Sequence, residues 1–258
     1  MATLQKLINE KILVIDGAMG TQIQALKITA EQWDGKEGCN ELLNVTAREE
    51  ISKIHKGYLL AGADIIKTNT FGALPWVLDD YDMGERTYEL AKAGAEIVKE
   101  ACLEYATEQK PRFCAAAFGP GTKLPSLGHI GYDEMYEGYK IAARGVVDGG
   151  CDLFLIETAQ DPLQIKAALH AISDVQKELN VKLPIMVSVT IELSGTMLIG
   201  TDATTIAAIL EPFDILSLGF NCGTGPEQVE KHVKTLSSVW SKPISVHANA
   251  GLRQNRGG

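Results

Sequence analysis

The chain has 258 residues, of which 45% are hydrophobic and 22% are charged, and its formal net charge at pH 7 is -9. This length suits one α/β barrel, which typically needs ~250 residues. The acidic balance, without a basic block or an arginine-rich stripe, argues against a nucleic-acid partner. No apolar run approaches the ~20 residues that span a bilayer, and the first residues lack the apolar core of a signal peptide. Five scattered cysteines are unlike a secreted disulfide framework, so we expect a cytoplasmic protein without a membrane partner.

Seven short apolar runs are predicted to be β-strands. Their apolar residues are consecutive instead of alternating, which is typical of strands buried on both faces of a parallel sheet. In chain order the runs cover residues 12–15, 64–68, 113–118, 153–156, 185–189, 215–218 and 244–246.

The segments between these runs are predicted to be helices. Thr46 and Glu49 have the spacing of a capping box before the first of them. Asp161 and Pro162 place a cap and a proline at the start of a later one, and Pro226 does the same for the last.

Alternating strands and helices form either an open doubly wound sheet or a closed barrel. Polar or reactive groups at nearly every strand end favour the barrel, because an open sheet concentrates them at one switch point. We therefore predict a single α/β domain over residues 1–258 with the (β/α)8 TIM-barrel fold. An eighth strand and helix cannot be read after residue 251, so we expect the barrel to be C-terminally incomplete and the chain to be a segment of a longer polypeptide.

Cys222 is the first candidate for chemistry, because it lies between a predicted buried strand and the helix that begins near Pro226. A thiolate at such a position is stabilised by free backbone N–H groups and can act as nucleophile or metal ligand. The alternative is a small buried hydrophobic residue. A catalytic zinc site needs three protein ligands, and neither a CxxC nor an HxxxH spacing occurs in the chain. His247, in the last predicted strand, is interpreted as a hydrogen-bonded structural residue.

Two carboxylates follow other predicted strands. Asp16 suits an ammonium group, and the small-residue turn of Gly17, Ala18 and Met19 offers N–H groups that suit a carboxylate. Glu157 closes a strand of otherwise apolar residues. It therefore either pairs with a structural Arg or Lys or meets a cationic ligand.

Other polar residues near strand ends have weaker signals. Thr70 offers a hydroxyl group and is counted among the candidate substrate contacts, although turn chemistry explains its segment nearly as well. Lys67 is expected to point away from Thr68 and to lack an activating partner, so it is not placed in the site. Asn221 and Asn249 are expected to hold loops by bonding to backbone groups.

Seven sequence blocks, taken in order, resemble the homocysteine-binding S-methyltransferase family, and most closely its cobalamin-dependent branch. The resemblance runs from about residue 12 to residue 252. Each block alone is a weak indication of the family, but all seven in this order indicate it specifically. They are Asp16-Gly17-Ala18-Met19-Gly20-Thr21, Gly38-Cys39-Asn40-Glu41-Leu42-Leu43-Asn44, Ala63-Asp64-Ile65-Ile66-Lys67-Thr68-Asn69-Thr70-Phe71-Gly72, Phe118-Gly119-Pro120, Asp152-Leu153-Phe154-Leu155-Ile156-Glu157-Thr158-Ala159-Gln160-Asp161, Asn221-Cys222-Gly223-Thr224-Gly225-Pro226 and Ser245-Val246-His247-Ala248-Asn249-Ala250-Gly251.

The resemblance implies a barrel that binds homocysteine and a catalytic zinc held by three cysteine thiolates. Cys222 matches the first ligand, Asp16 and Glu157 match positions near the substrate ammonium, and the turn at Ala18 and Met19 matches the cradle of its carboxylate. The zinc would favour the homocysteine thiolate, which attacks a methyl group to give methionine. In the cobalamin-dependent branch the donor is methylcobalamin on another domain, recharged from methyltetrahydrofolate on a third. Cobalamin and folate domains are thus the expected partners.

The chain departs from the family pattern at the metal. The family's other two ligands form an adjacent Cys-Cys pair in a glycine-rich segment at the last strand, and no such pair occurs here. We therefore expect the chain alone to bind zinc poorly and to be inactive. Two further hypotheses stay open: a catalytically silent barrel fragment that serves as a binding module, and a methyltransferase that uses betaine or S-methylmethionine. The four cysteines that do not match a ligand are Cys39, Cys102, Cys114 and Cys151.

Overall fold

A computed structural model describes residues 4–250, which form a curled, entirely parallel six-stranded sheet packed against helices. The strands lie in the sheet in chain order, so each strand pairs with the one before it. They are β1 (Ile65–Lys67), β2 (Phe113–Phe118), β3 (Leu153–Ala159), β4 (Ile185–Val189), β5 (Ser217–Asn221) and β6 (Ile244–His247).

A helix lies between each pair of consecutive predicted strands, as the sequence predicts. Prolines open two of these helices, Pro162–Leu179 and Pro226–Val239, also as predicted. No helix in residues 4–250 has both the length and the apolar character needed to cross a membrane. The α-helices are α1 (Leu4–Glu10), α2 (Gly20–Ala25), α3 (Ala30–Trp33), α4 (Leu43–Thr46), α5 (Arg48–Ala61), α6 (Pro75–Leu78), α7 (Thr87–Tyr105), α8 (Tyr132–Asp148), α9 (Pro162–Leu179), α10 (Ala203–Leu210) and α11 (Pro226–Val239).

The two faces of the sheet fill two apolar cores, because successive side chains of a strand point to opposite faces. Phe118 and Phe154 belong to the larger core, which the sheet shares with the helices. Ile65, Leu155 and Met186 belong to the smaller core, inside the curl. The predicted α/β architecture is thus confirmed as a curled half-barrel of parallel strands.

The first predicted strand, residues 12–15, is wrong as a regular buried strand. Its backbone follows β1, since Val14 O accepts hydrogen bonds from Asp64 N and Ile65 N, but only Ile15 pairs with Ile65 as an isolated bridge. Ile12 is 92% exposed. Among residues 4–250, no strand pairs with the side of residues 12–15 that faces away from β1. A groove of about 720 Å³ lies there instead, between residues 12–15 and β6. The described residues do not close a barrel, and the predicted incomplete end at residues 251–258 lies outside them.

The capping box predicted at Thr46 and Glu49 is also wrong. Thr46 is the last residue of α4, and its hydroxyl donates to a backbone carbonyl one turn earlier. Helix α5 begins after Ala47, which makes no side-chain cap. A capping box forms instead at the start of α3, where Thr29 is the N-cap and Gln32 is the third helical residue.

Candidate functional site

Cys222 lies directly after β5, in the loop that leads to α11. It is partly exposed, whereas the other four cysteines are buried, so within residues 4–250 it is not a fully buried hydrophobic residue. Its φ angle of 56° lies in the left-handed region, which is uncommon for residues other than glycine. Backbone of this kind persists only where the surroundings enforce it, and it is common at functional sites.

The buried side chain of Asn221 enforces this geometry. Its Oδ1 accepts hydrogen bonds from Thr158 N (2.8 Å) and Ser188 Oγ (2.7 Å). Its Nδ2 donates to Thr158 Oγ1 (2.7 Å) and Cys222 Sγ (3.3 Å). All four hydrogen-bonding positions of the amide are therefore used. Thr158 also has a left-handed backbone, with φ 58°, so one amide joins both such residues at this edge, and the structural role predicted for Asn221 is confirmed.

Glu157, next to Thr158 in β3, forms an ion pair with Lys67 of β1. Lys67 Nζ lies 3.1 Å from Glu157 Oε2, and the two side chains are only 15% and 8% exposed. Burial alone would lower the pKa of Lys67, but the Glu157 and Asp16 carboxylates hold that pKa above its ordinary value. The side chain of Lys67 lies inside the curl and reaches across β2, so this pair is the structural lysine partner that the sequence leaves open for Glu157. Because the carboxylates raise the pKa of Lys67, they do not activate its amine as a nucleophile, as the sequence predicts.

Asp16 is buried, and its two carboxylate oxygens differ. Oδ2 accepts a hydrogen bond from Lys67 N (3.0 Å), whereas Oδ1 has no hydrogen-bond partner in the described part of the chain. Burial raises the pKa of Asp16 to about 7, although the nearby Lys67 ammonium acts to lower it. Near neutral pH this carboxyl group is thus divided between its two protonation states and has one acceptor to spare.

A ring of contacts brings Asp16, Glu157 and Cys222 together. His247 Nε2 lies 2.5 Å from the carbonyl oxygen of Asp16, so this nitrogen carries the proton. The carbonyl of His247 accepts a hydrogen bond from Cys222 N (3.1 Å). Asn221 and the Lys67 ion pair complete the ring on the other side. His247 is the hydrogen-bonded structural residue that the sequence predicts.

The turn of Gly17, Ala18 and Met19 packs against α5. Tyr58 Oη donates to the carbonyl of Ala18 (2.7 Å), and a Cβ at Gly17 would lie 2.8 Å from that hydroxyl. Any larger residue at Gly17 would displace the end of the Tyr58 side chain, so glycine lets the turn pack closely beside Asp16. The predicted contacts between this turn and a substrate carboxylate stay predictions.

Thr70 does not face the site with a free hydroxyl. The side chain is fully buried, donates to the carbonyl of Ala117 (2.8 Å) and lies 2.5 Å from Thr68 Oγ1. Its predicted substrate contact has no support from this geometry. Asn249 has an exposed side chain, and its backbone N–H donates to Thr224 O (3.2 Å).

The described donor groups do not make a zinc site. Among residues 4–250 no group of three His, Cys, Asp or Glu side chains is placed to hold a metal ion. The polar side-chain atoms near Cys222 Sγ are Asn221 Nδ2 and, at 4.0 Å, Thr158 Oγ1. Since a catalytic zinc needs three protein ligands, Cys222 fits one ligand position and the described set is incomplete.

Sequence reasoning missed Lys67 and Tyr58 as parts of this site. A signal for Lys67 was present: a charged residue in an apolar strand must find a partner when it is buried, and Glu157 closes another such strand. No local pattern in the sequence links the hydroxyl of Tyr58 to the carbonyl of Ala18, 40 residues earlier in the chain.

The sequence matches known proteins over almost its whole length. Residues 13–258 match the family described as homocysteine S-methyltransferase. The chain is 40% identical over 249 residues to a methionine synthase of Mycobacterium tuberculosis, which covers 96% of this chain and 21% of that protein. It is 40% identical over 243 residues to a methionine synthase of Mycobacterium leprae, which covers 94% of this chain and 20% of that protein. The chain thus spans about a fifth of the length of these curated relatives.

Solved structures agree on the fold. The metallated form of the homocysteine methyltransferase MmuM from Escherichia coli superimposes with a TM-score of 0.78 at 20% identity, covering 96% of this chain and 87% of that one. Its oxidized form gives the same TM-score at 21% identity. The arrangement of strands and helices described above is therefore one that solved proteins adopt.

Proposed function

Because the chain belongs to the homocysteine S-methyltransferase family, we propose that it binds homocysteine and holds its thiol for methylation to methionine. The observation that carries the proposal is the ring of contacts joining Asp16, Glu157 and Cys222. These residues come from three distant segments and meet at the carboxyl ends of parallel strands, where barrel enzymes keep their chemistry.

The proposed roles follow from the chemistry of each group. Asp16 and Glu157 are the acidic groups that attract the substrate ammonium, and the N–H groups of the turn at Ala18 and Met19 receive its carboxylate. Cys222 stands on the thiol side of the ring, oriented by Asn221. In the transfer itself the homocysteine sulfur forms a bond to the methyl carbon, and the donor departs with the electron pair of the bond that breaks.

We further propose that the complete site uses zinc and that methylcobalamin is the methyl donor, as the family resemblance implies. Cys222 would supply one zinc ligand, and the remaining ligands would come from outside residues 4–250. The relatives that support this proposal are methionine synthases about five times the length of this chain. Cobalamin and folate domains of a longer polypeptide are accordingly the proposed partners. The free state of all five cysteines supports a cytoplasmic location.

The binding-module hypothesis draws support from a different observation, the open groove between residues 12–15 and β6. A chain that serves assembly alone would fold and pair through these edges while showing no affinity for homocysteine.

The experiment measures bound zinc and homocysteine methylation in this chain and in a polypeptide extended to the length of its relatives, each with Cys222→Ala. We expect the extended wild type to bind zinc and form methionine from methylcobalamin, and the variant to lose both. Cys102→Ala, which removes a buried thiol from α7, is the matched control and should keep both. Tight zinc binding that does not depend on Cys222 would overturn the proposal. Activity with betaine instead would select the other donor.

A further inference from the structure

The buried carboxylates of the site already have an ammonium group beside them. Lys67 Nζ pairs with Glu157 Oε2 at 3.1 Å, and Lys67 also lies within the field of Asp16. Within residues 4–250, no other Lys, Arg or His forms an ion pair with either carboxylate. The chain itself therefore supplies the cation of this acidic site.

The cationic group of Lys67 is of the same chemical type as the ammonium group of an amino-acid ligand. A lysine side chain ends in a primary ammonium, the same group that an α-amino acid brings to the site, and it stands on a flexible four-carbon stem. Two ammonium groups at one carboxylate repel each other, and juxtaposed like charges at an interface weaken binding. Glu157 is thus expected to bind either the Lys67 ammonium or the ligand ammonium strongly, but not both at once.

We propose that Lys67 is an internal competitor for the ammonium subsite: it occupies Glu157 in the free protein, and homocysteine must displace it in order to bind. This inference rests on the proposed function and deepens it, because it names the residue that limits affinity for the amino-acid substrate. The unpartnered Oδ1 of Asp16 gives the displaced lysine a second acceptor inside the same site. Lys67 is here a specificity-determining residue, and no step of methyl transfer passes through it.

The competition makes a prediction that depends on the ligand. Removing the lysine charge should strengthen binding of a ligand that carries an ammonium, such as L-homocysteine. It should not strengthen binding of 4-sulfanylbutanoate, which has the same thiol and carboxylate without the ammonium. The ratio of the two dissociation constants therefore reports on the ammonium subsite alone, and it cancels general effects of a substitution on the fold.

The test is an NMR titration of the full chain with each ligand, in wild type and in Lys67→Met. We expect homocysteine to bind Lys67→Met roughly fivefold tighter or more, with 4-sulfanylbutanoate unchanged or weaker. Lys67→Arg keeps the charge and can bind Glu157 through two N–H groups, so it should bind homocysteine no tighter than wild type. In Lys67→Met/Glu157→Gln the gain should disappear, because the carboxylate released by the first substitution is gone.

Thermal unfolding of each variant is recorded first, since Lys67→Met leaves a buried carboxylate without its cation. If that variant does not fold, Lys67→Gln replaces it, because glutamine can donate a hydrogen bond to Glu157 without competing as a cation. Equal or weaker homocysteine binding by the folded, charge-free variant overturns the inference while leaving the proposed function in place. A wild-type chain with no affinity for homocysteine overturns both.

Discussion

The middle of the sheet and its two edges contrast sharply, although all of them are built from similar apolar runs. Every residue of β4 and β5 is buried, whereas β6 has no fully buried residue and Val246 in it is 46% exposed. Val14, opposite β6 across the groove, is 55% exposed. An apolar run therefore specifies an extended strand, but its burial depends on neighbours on both sides. The candidate site draws on both regions, since Cys222 follows β5 while Asp16 and His247 lie on the edges.

The largest expected effect concerns Asp16, a buried carboxyl group on an open edge. Its pKa is about 7 in the folded chain against 3.8 as the ordinary value, so the folded state holds a proton that the unfolded state releases between these pH values. The stability contributed by this proton is complete below about pH 4 and is lost as the pH rises through 7. Asp16→Asn should remove this dependence, on the order of 1 kcal/mol per pH unit and several kcal/mol in total.

Urea unfolding of wild type and Asp16→Asn from pH 4 to pH 8 measures this pH dependence of the free energy of unfolding. The variant should gain stability over wild type as the pH rises. Parallel pH profiles for the two proteins would show that Asp16 is ionised throughout and that the edge is better hydrated than the structure indicates.

The hydrogen bonds of Asn221 stabilise the part of the site next to the buried strands β3, β4 and β5. Asn221→Ala removes the acceptor of the partly buried Thr158 N and the buried Ser188 Oγ, and an unsatisfied buried group costs about 1–3 kcal/mol. We expect a loss of about 3 kcal/mol in the free energy of unfolding, measured in urea. Asn249→Ala, at an exposed asparagine on the edge side, is the matched control and should cost less than about 0.5 kcal/mol. Equal costs would erase the distinction between the two regions.

The boundary between the two regions depends on Gly219 of β5. A Cβ there would lie 1.9 Å from the backbone oxygen of Ser245, so Gly219→Ala must push β6 away from β5. Overpacking of this kind typically costs about 1–3 kcal/mol. The same substitution at Gly57 in α5 meets open space and should stabilise the helix by about 0.5–1 kcal/mol. A neutral Gly219→Ala, by calorimetry, would mean that β6 is already loose.

The smallest effects come from a matched pair of valines. Val187 of β4 is completely buried, so Val187→Ala should cost about 2 kcal/mol through lost apolar burial and a residual cavity. Val246→Ala on β6 should cost less than about 0.5 kcal/mol in this chain. A comparable cost at Val246, again from urea unfolding, would indicate that the edge is covered in solution, for example by self-association.

Local patterns in the sequence predicted most of the fold. Consecutive apolar residues identified the six strands of the sheet, and the prolines at the starts of α9 and α11 identified two helix boundaries. The capping box at Thr46 failed because an earlier short helix already uses that residue, and a spacing rule does not show where the preceding helix ends. Burial of residues 12–15 failed because it depends on a neighbouring strand, which is not a local property.

The site was predicted only in part, because local patterns show where strands end but not which distant residues meet there. Strand ends could be read from the sequence, so Asp16, Glu157 and Cys222 were placed on one rim. The partners of these groups could not, because Lys67 and Glu157 are 90 residues apart in the chain and meet only when the sheet curls. Asn221 was assigned a loop-holding role without its partners, since the pairing with Ser188 and Thr158 follows from the register of β3, β4 and β5.

The groove between residues 12–15 and β6 has a consequence for assembly. Its two walls are different segments, so a contact between copies joins β6 of one copy to residues 12–15 of the other. A two-fold axis can form both such contacts at once, because each copy then offers one wall and receives the other. Repeated head-to-tail contacts instead continue into filaments unless the rotation between copies closes a ring. Uncovered edges of this kind therefore allow a closed dimer or an open-ended polymer, and the rotation between copies decides which forms.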